Sequence, residues 1–232
     1  KIDWSFNATE NRTDMAANNQ WLSQLQRMQH WPPLVLAYQQ TGDEKYARAW
    51  VEQMRSWIRE CPRLDRAFNR FPSYQWRTIN VGIRMLGTWN QTFYAFLHSP
   101  SFTDEAMMDF LQSCIVHADH LRRNHTSDNN WLAMEMNGLY TVAVTFPEFK
   151  RSDEWRKHAV DVMYRTMREH FLPDGAQVEL TPGYHGVSLR NSLSLVEKAR
   201  RVGKMDELPE DYIALAEKAF EYILLLAGPD NY

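Results

Sequence analysis

Apolar residues recur at three- and four-residue intervals along nearly the whole chain, and this period constrains its fold more than any other feature. The alternation that marks a half-buried strand is almost absent. "NNQWLSQLQRMQHWPPLVLAYQQTG" reads as a helix interrupted or restarted at Pro32 and Pro33 and closed by Gly42. "DEKYARAWVEQMRSWIREC" follows, with acids in its first turn and bases late, as the helix dipole favours. Further helices are predicted over Trp76 to Leu97, Thr103 to Arg122, about Asn130 to Val144, and Ser152 to His170. The last two run from about Tyr184 to Val202 and from about Pro209 to Ala227. "DGAQVELTPGYH" is the exception, since its Asp-Gly and Pro-Gly pairs mark turns. Nine glycines in 232 residues also disfavour a turn-rich β protein.

Helices of this length on short connections fit antiparallel hairpins repeated around a ring or along a solenoid. The expected fold is therefore all-α, with an α/α toroid favoured over a helical-repeat solenoid because no exact repeat is visible. At 44% hydrophobic content, residues 1–232 suffice for one domain with a real core. The chain opens at Lys1 with no signal peptide and stops at "LLLAGPDNY", directly after a helical pattern. We expect an excised piece of a longer protein. Cys61 and Cys114 cannot build a disulfide framework and read as packed thiols. No apolar run reaches the roughly 20 residues that a membrane span needs.

Net charge is −3, so an anionic partner would have to be attracted locally. One window offers that. Between Arg66 and Thr103 there is no Asp or Glu, yet Arg66, Arg70, Arg77, Arg84 and His98 lie among Phe68, Phe71, Tyr74, Trp76, Trp89, Phe93 and Tyr94. Arg77 and Arg84 share a helix face, forked guanidiniums suit carboxylates and sulfates, and flat aromatics suit sugar faces. A packed helix with arginines snorkelling to water explains the same residues. Nucleic acid would use similar groups, but the net negative charge argues against it. His117 and His120 share a face that could hold zinc, although no further ligand stands at a recognised spacing, so no metal is assigned.

"SDNNWLAMEMNGLY" opens a helix with Asn129 and Asn130 and carries Glu135 and Asn137 inside its apolar body. One amide suffices as a cap. Buried polar groups cost free energy unless paired, and a polar cavity would account for all four together. Downstream, Glu179, Tyr184, His185 and Arg190 cluster around the Pro-Gly turn. A turn with an aromatic plug is one reading. The other is a tyrosine that moves protons, which requires cations nearby, and His185 and Arg190 are the local candidates.

At these two stretches the chain resembles the heparinase II/III group of polysaccharide lyases, most closely the heparinase III type. The resemblance rests on "NNW…E" (Asn129, Asn130, Trp131, Glu135), on "FPE" (Phe146 to Glu148) and on "DGAQVELTPGYH" (Asp174 to His185). "IDW", "QHWPPLVLAYQQTGDEKYA" and "QWRTINVGIR" extend it over nearly the whole chain. Trp131 stands where some relatives carry His, which places alginate lyases second. The resemblance implies an incomplete α/α toroid, followed in the full protein by a β-sandwich domain that supplies a further catalytic histidine. It implies β-elimination at a uronic acid, with heparan sulfate as the substrate. Carried over, Asn130 binds and neutralises the uronate carboxylate and Tyr184 transfers the proton. Trp76, Arg77, Arg84, Asn129, Glu135, His185 and Arg190 are the expected substrate-binding residues, with Glu135 orienting Asn130 or an arginine. No cofactor is implied, and a periplasmic or secreted setting follows from the family. Two other classes remain: a glycoside hydrolase using Glu135 and Glu179 as a carboxylate pair, and a non-enzymatic domain that only binds anionic glycans.

Overall fold

The computed structural model describes residues 1–63 and 74–226, with the side chain of Asn129 outside the description. Among the described residues the chain is all-α, as the period predicts, with an isolated bridge between Phe171 and Gln177 in place of a sheet. Two compact units divide it, Lys1–Asp119 and His120–Tyr232.

The first unit contains α1 (Gln20–Gln26), α2 (Pro32–Thr41), α3 (Glu44–Glu60), α4 (Thr78–Leu86) and α5 (Thr88–Phe96). The next helix, α6 (Asp104–Asn124), carries the boundary between the units. Gly42 ends α2 in the left-handed region at φ 66° and its N–H closes on the carbonyl of Tyr38 at 2.8 Å. Asp43 then caps α3 by accepting from the N–H of Lys45 at 2.9 Å. Ala47, Trp50, Met54 and Trp57 form the buried stripe of α3. Trp50 stacks on Phe96 with ring centroids 5.0 Å apart, and Trp57 meets Trp89 edge-on at 5.7 Å. The core of this unit is thus an aromatic cluster.

The single helix predicted over Trp76 to Leu97 is two. Gly87 leaves the helical region at φ −128°, ψ −92°, and Asn90 donates its side-chain amide to the carbonyl of Met85 across the break. Both cysteines are free and buried. Burial pushes the Cys61 thiol up to about 12 and raises that of Cys114, so neither is a thiolate at neutral pH.

The second unit holds α7 (Asn129–Thr145), α8 (Ser152–Glu169), α9 (Pro182–Arg201), a short 3-10 turn at Met205–Glu207 and α10 (Tyr212–Leu226). Most of α7 is buried, packed against both α8 and α9. Thr181 caps α9, accepting from the N–H of Tyr184 at 3.3 Å, and Pro182 opens the first turn, where its missing N–H costs nothing.

Candidate functional site at the starts of α7 and α9

Asn130 sits in the first turn of α7, only 7% exposed, and does not cap it. Its backbone N–H donates to Oε1 of Glu179 at 2.8 Å. Its side-chain Nδ2 lies 3.1 Å from Oε1 and 3.0 Å from Oε2 of the same carboxylate. Glu179 therefore closes a helix start 49 residues away, where the positive end of the helix dipole favours a carboxylate. Seven residues beyond Asn130, Asn137 donates to Oδ1 of Asn191 at 2.9 Å, and Asn191 itself stands seven residues beyond Tyr184. Glu179, just before α9, meets the start of α7, and Asn191, further along α9, meets Asn137 two turns into α7; these contacts make the helices run parallel, with Asn130 and Tyr184 at the same end. The Tyr184 side chain is half exposed there.

The turn that leads into α9 is held from behind. Gln177 is buried, and its side-chain oxygen accepts from the N–H of Glu179 at 2.8 Å. The Gln177 N–H donates to Nδ1 of His185 at 3.2 Å, and His185 Nε2 donates to the carbonyl of Ala219 on α10 at 2.8 Å. His185 is only 2% exposed, so it anchors the turn to α10 and does not face a substrate. This corrects its assignment as a binding residue. Arg190 is exposed on α9, with its guanidinium folded back along the helix towards Gly186.

Glu135 is also displaced from its expected role. It is fully buried, and Oε2 accepts from the N–H and the hydroxyl of Thr126 at 2.8 and 2.9 Å. It braces the turn between α6 and α7, and the carboxylate that meets Asn130 is Glu179. A buried Glu135 also removes the pairing of Glu135 with Glu179 across a sugar. Asn137 has yet another destination, since Lys198 donates to its Oδ1 at 2.7 Å and to Ser194 Oγ at 2.8 Å. Burial pulls the Lys198 ammonium down to about 8. The polar groups of α7 thus meet separate partners, among them Glu179, Thr126, Asn191 and Lys198, and do not line one cavity.

In the first unit, Arg84 is fully buried, contrary to a role at an open binding surface. Its Nε donates to Nε2 of His117 at 2.8 Å and Nη1 to the carbonyl of Gln26 at 3.1 Å. Its guanidinium lies over the rings of Trp57 and Trp76 at 4.4 and 5.4 Å from their centroids. Burial draws its pKa down to about 9, which leaves it charged at neutral pH. Trp76 is buried too, its indole N–H donating to the carbonyl of Cys61 at 2.9 Å. Arg77 precedes α4 and is half-buried. The acid-free window is therefore largely a packed element whose arginine stays inside instead of snorkelling. Arg66, Arg70, Phe68 and Phe71 fall outside the described residues. His117 has both ring nitrogens engaged, Nδ1 with the carbonyl of Ser113 at 2.6 Å and Nε2 with Arg84, so neither is open to zinc. Among the described residues no group of three or more His, Cys, Asp or Glu is placed to hold a metal ion.

An all-α domain that places a carboxamide and a half-exposed phenol at the parallel starts of two helices is suited to an anionic ligand, since both helix dipoles point their positive ends there. Residues 1–232 match the family described as Heparinase II/III N-terminus, and the chain belongs to that family. A heparin-sulfate lyase of Pedobacter heparinus is 34% identical over 208 residues, covering 89% of this chain and 31% of that protein. A heparin-sulfate lyase of Bacteroides stercoris is 30% identical over 99% of this chain and 35% of its own length. The crystal structure of heparinase III superposes with a TM-score of 0.89 at 26% identity, covering 99% of this chain and 34% of that one. A heparan sulfate lyase mutant from Pedobacter heparinus gives 0.83 at 31% identity. The chain thus spans about a third of the length of the curated relatives it matches.

Proposed function

We propose that this domain is the helical part of a polysaccharide lyase that cleaves heparan sulfate by β-elimination. The observation that carries the reading is the shared end of α7 and α9, where Asn130 and Tyr184 stand. Elimination begins with loss of the C5 proton of a uronate, which is hard because the neighbouring carboxylate is already negative. A carboxamide that donates to this carboxylate stabilises the charge that develops on it. The C5–H electrons form the C4=C5 double bond, the C4–O4 bond breaks, and O4 takes a proton. Tyr184 is the residue at this end that moves protons, either from C5, to O4, or both in turn. No electron acceptor or donor is needed, so the reading assigns no cofactor to this domain.

In the same reading the helices form an incomplete α/α toroid, and a β-sandwich domain elsewhere in the polypeptide supplies the further histidine. The length of the relatives supports this arrangement. A polymer substrate outside the cell places the protein in the periplasm or beyond. Of the arginines expected to bind substrate, Arg190 is exposed and Arg77, in the first unit, is half-buried, and a guanidinium suits sulfate or carboxylate groups. Asn129 adjoins Asn130 and belongs to the same proposed site.

The test uses the full-length protein with heparan sulfate, heparin, hyaluronan and alginate, following the near-ultraviolet absorbance of unsaturated uronate products. We expect turnover of heparan sulfate, with Asn130→Ala lower by about 10²–10³ and Tyr184→Phe without measurable turnover. A Tyr184→Phe enzyme with normal activity would overturn the catalytic assignment. Binding without turnover in the full-length protein would leave a glycan-binding domain.

A further inference from the structure

We propose that Glu179 is a positioning residue, which fixes the Asn130 amide so that its N–H is the group presented to substrate. The inference rests on the reading of Asn130 given above and goes beyond it. An asparagine side chain can turn over and present either its NH2 or its carbonyl oxygen, and the second orientation would repel a uronate carboxylate. In this structure Nδ2 is nearly equidistant from the two oxygens of Glu179, at 3.1 and 3.0 Å. One N–H of the amide can serve both oxygens, which leaves the second N–H for substrate. Turning the amide over would set its carbonyl oxygen against a carboxylate, so Glu179 selects the donating orientation.

The surroundings of Glu179 indicate a residue that is itself held. Its N–H donates to Gln177 Oε1 at 2.8 Å, and its Oε1 also accepts from Gln177 Nε2 at 3.3 Å. Gln177 is tied through His185 to the carbonyl of Ala219. The next residue, Leu180, takes φ 53°, a left-handed conformation that costs a branched side chain, and that side chain is 72% exposed. The turn gains nothing by burying Leu180, yet it keeps the strained backbone. Strain kept without a packing gain is characteristic of a segment that must set its neighbours in place, and here the neighbours are Glu179 and the start of α9 with Tyr184.

A carboxylate beside a polyanion would ordinarily weaken binding. Glu179 escapes much of that cost because the first turn of α7, through the N–H of Asn130 at 2.8 Å, offsets its charge. Its contribution is thus one of reach and of accepting only, since a carboxylate has no N–H to offer a turned-over amide. The two properties separate in substitution: Glu179→Gln keeps the length but brings an NH2 that can pair with a turned-over amide, whereas Glu179→Asp still only accepts and falls about 1.5 Å short, one C–C bond.

The experiment measures kcat, KM and thermal midpoint for full-length Glu179→Ala, Glu179→Gln and Glu179→Asp, and for Asn130→Ala alone and combined with Glu179→Ala. We expect Glu179→Ala to lower kcat by about 10–10²-fold, the cost of a misplaced group, with little change in KM. Glu179→Gln and Glu179→Asp are each expected to lower kcat, the first because it no longer selects the amide edge and the second because it falls short. In the Asn130→Ala background, Glu179→Ala is expected to cost no further kcat, because a residue acting through Asn130 has nothing left to position. Three outcomes overturn the inference: a lowered midpoint with unchanged kcat, which is helix capping alone; Glu179→Gln performing as well as wild type; or losses that multiply in the double variant. Normal turnover by Asn130→Ala would instead overturn the underlying reading of the site, so the two failures are distinct.

Discussion

At the scale of single residues, His158 couples the second unit to pH. Its Nε2 lies 3.2 Å from Nε2 of His125, whose Nδ1 donates to the carbonyl of Thr126 at 2.7 Å. Burial, then Arg122, His125 and Arg165, lower the His158 pKa to about 4, with Asp161 opposing. The unfolded chain has the ordinary value of about 6.5, so between pH 6.5 and 4 it binds more protons than the folded one. Stability from this group is therefore present above pH 6.5 and is lost as pH falls toward 4. Because the ring is partly exposed, we expect a loss on the order of 1 kcal/mol. Thermal melts of wild type and His158→Gln from pH 7.5 to 4.5 check it: the wild type should lead at high pH and the gap should narrow on acidification. A constant gap would contradict the assignment. Single residues were also where the sequence was least legible. Arg84 carries the same letter whether it faces an anion or two indoles, and no local pattern separates these. Glu179 could be noticed ahead of Thr-Pro-Gly, but its partner Asn130 stands 49 residues earlier, and capping across that distance leaves no short-range signal.

At the scale of elements, the helical period was enough to place nearly every helix, because burial of one face is a local property written every three or four residues. The break at Gly87 escaped it, since the apolar pattern continues through both α4 and α5 and a glycine inside such a pattern also fits one helix. The turn before α9 was legible as a turn, through Asp-Gly and Pro-Gly, but not in what it holds. Its closeness to α10 supplies a test. Gly175 has φ 93°, and a Cβ there would stand 2.5 Å from the carbonyl oxygen of Lys218 and 3.2 Å from Cβ of Tyr222. Both neighbours belong to α10, so backbone must move, and the conformation itself costs a side chain about 1–3 kcal/mol. Gly175→Ala is expected to lower stability by at least that amount in a denaturant titration. Since His185 ties the same turn to α10, the variant should also lose turnover in the full-length protein. A wild-type midpoint would show that α10 yields freely.

At the scale of the whole molecule, the fold class followed from periodicity and the family from several short stretches in the right order, both of which survive without knowledge of tertiary contacts. The surface of α10 could not be read that way. Tyr212, Ala216 and Ala219 are buried on one side of the helix, as the period requires, but Ile213, Phe220 and Leu224 are exposed on another, and Leu225 is 84% exposed. Scattered apolar side chains are common on surfaces, whereas a stripe running the length of a helix is a liability in water. Among residues 1–226 nothing described covers it. We therefore expect the isolated chain of residues 1–232 to self-associate, with an apparent mass in light scattering that rises with concentration. Leu224→Lys with Leu225→Lys should reduce that rise without lowering helical content, because neither side chain is part of the buried core. A polypeptide of the length of the relatives should scatter as a species of fixed mass if this face is covered in it. An isolated chain that stays monomeric at every concentration would mean that the stripe carries no such drive, and the exposure of these leucines would then need another account.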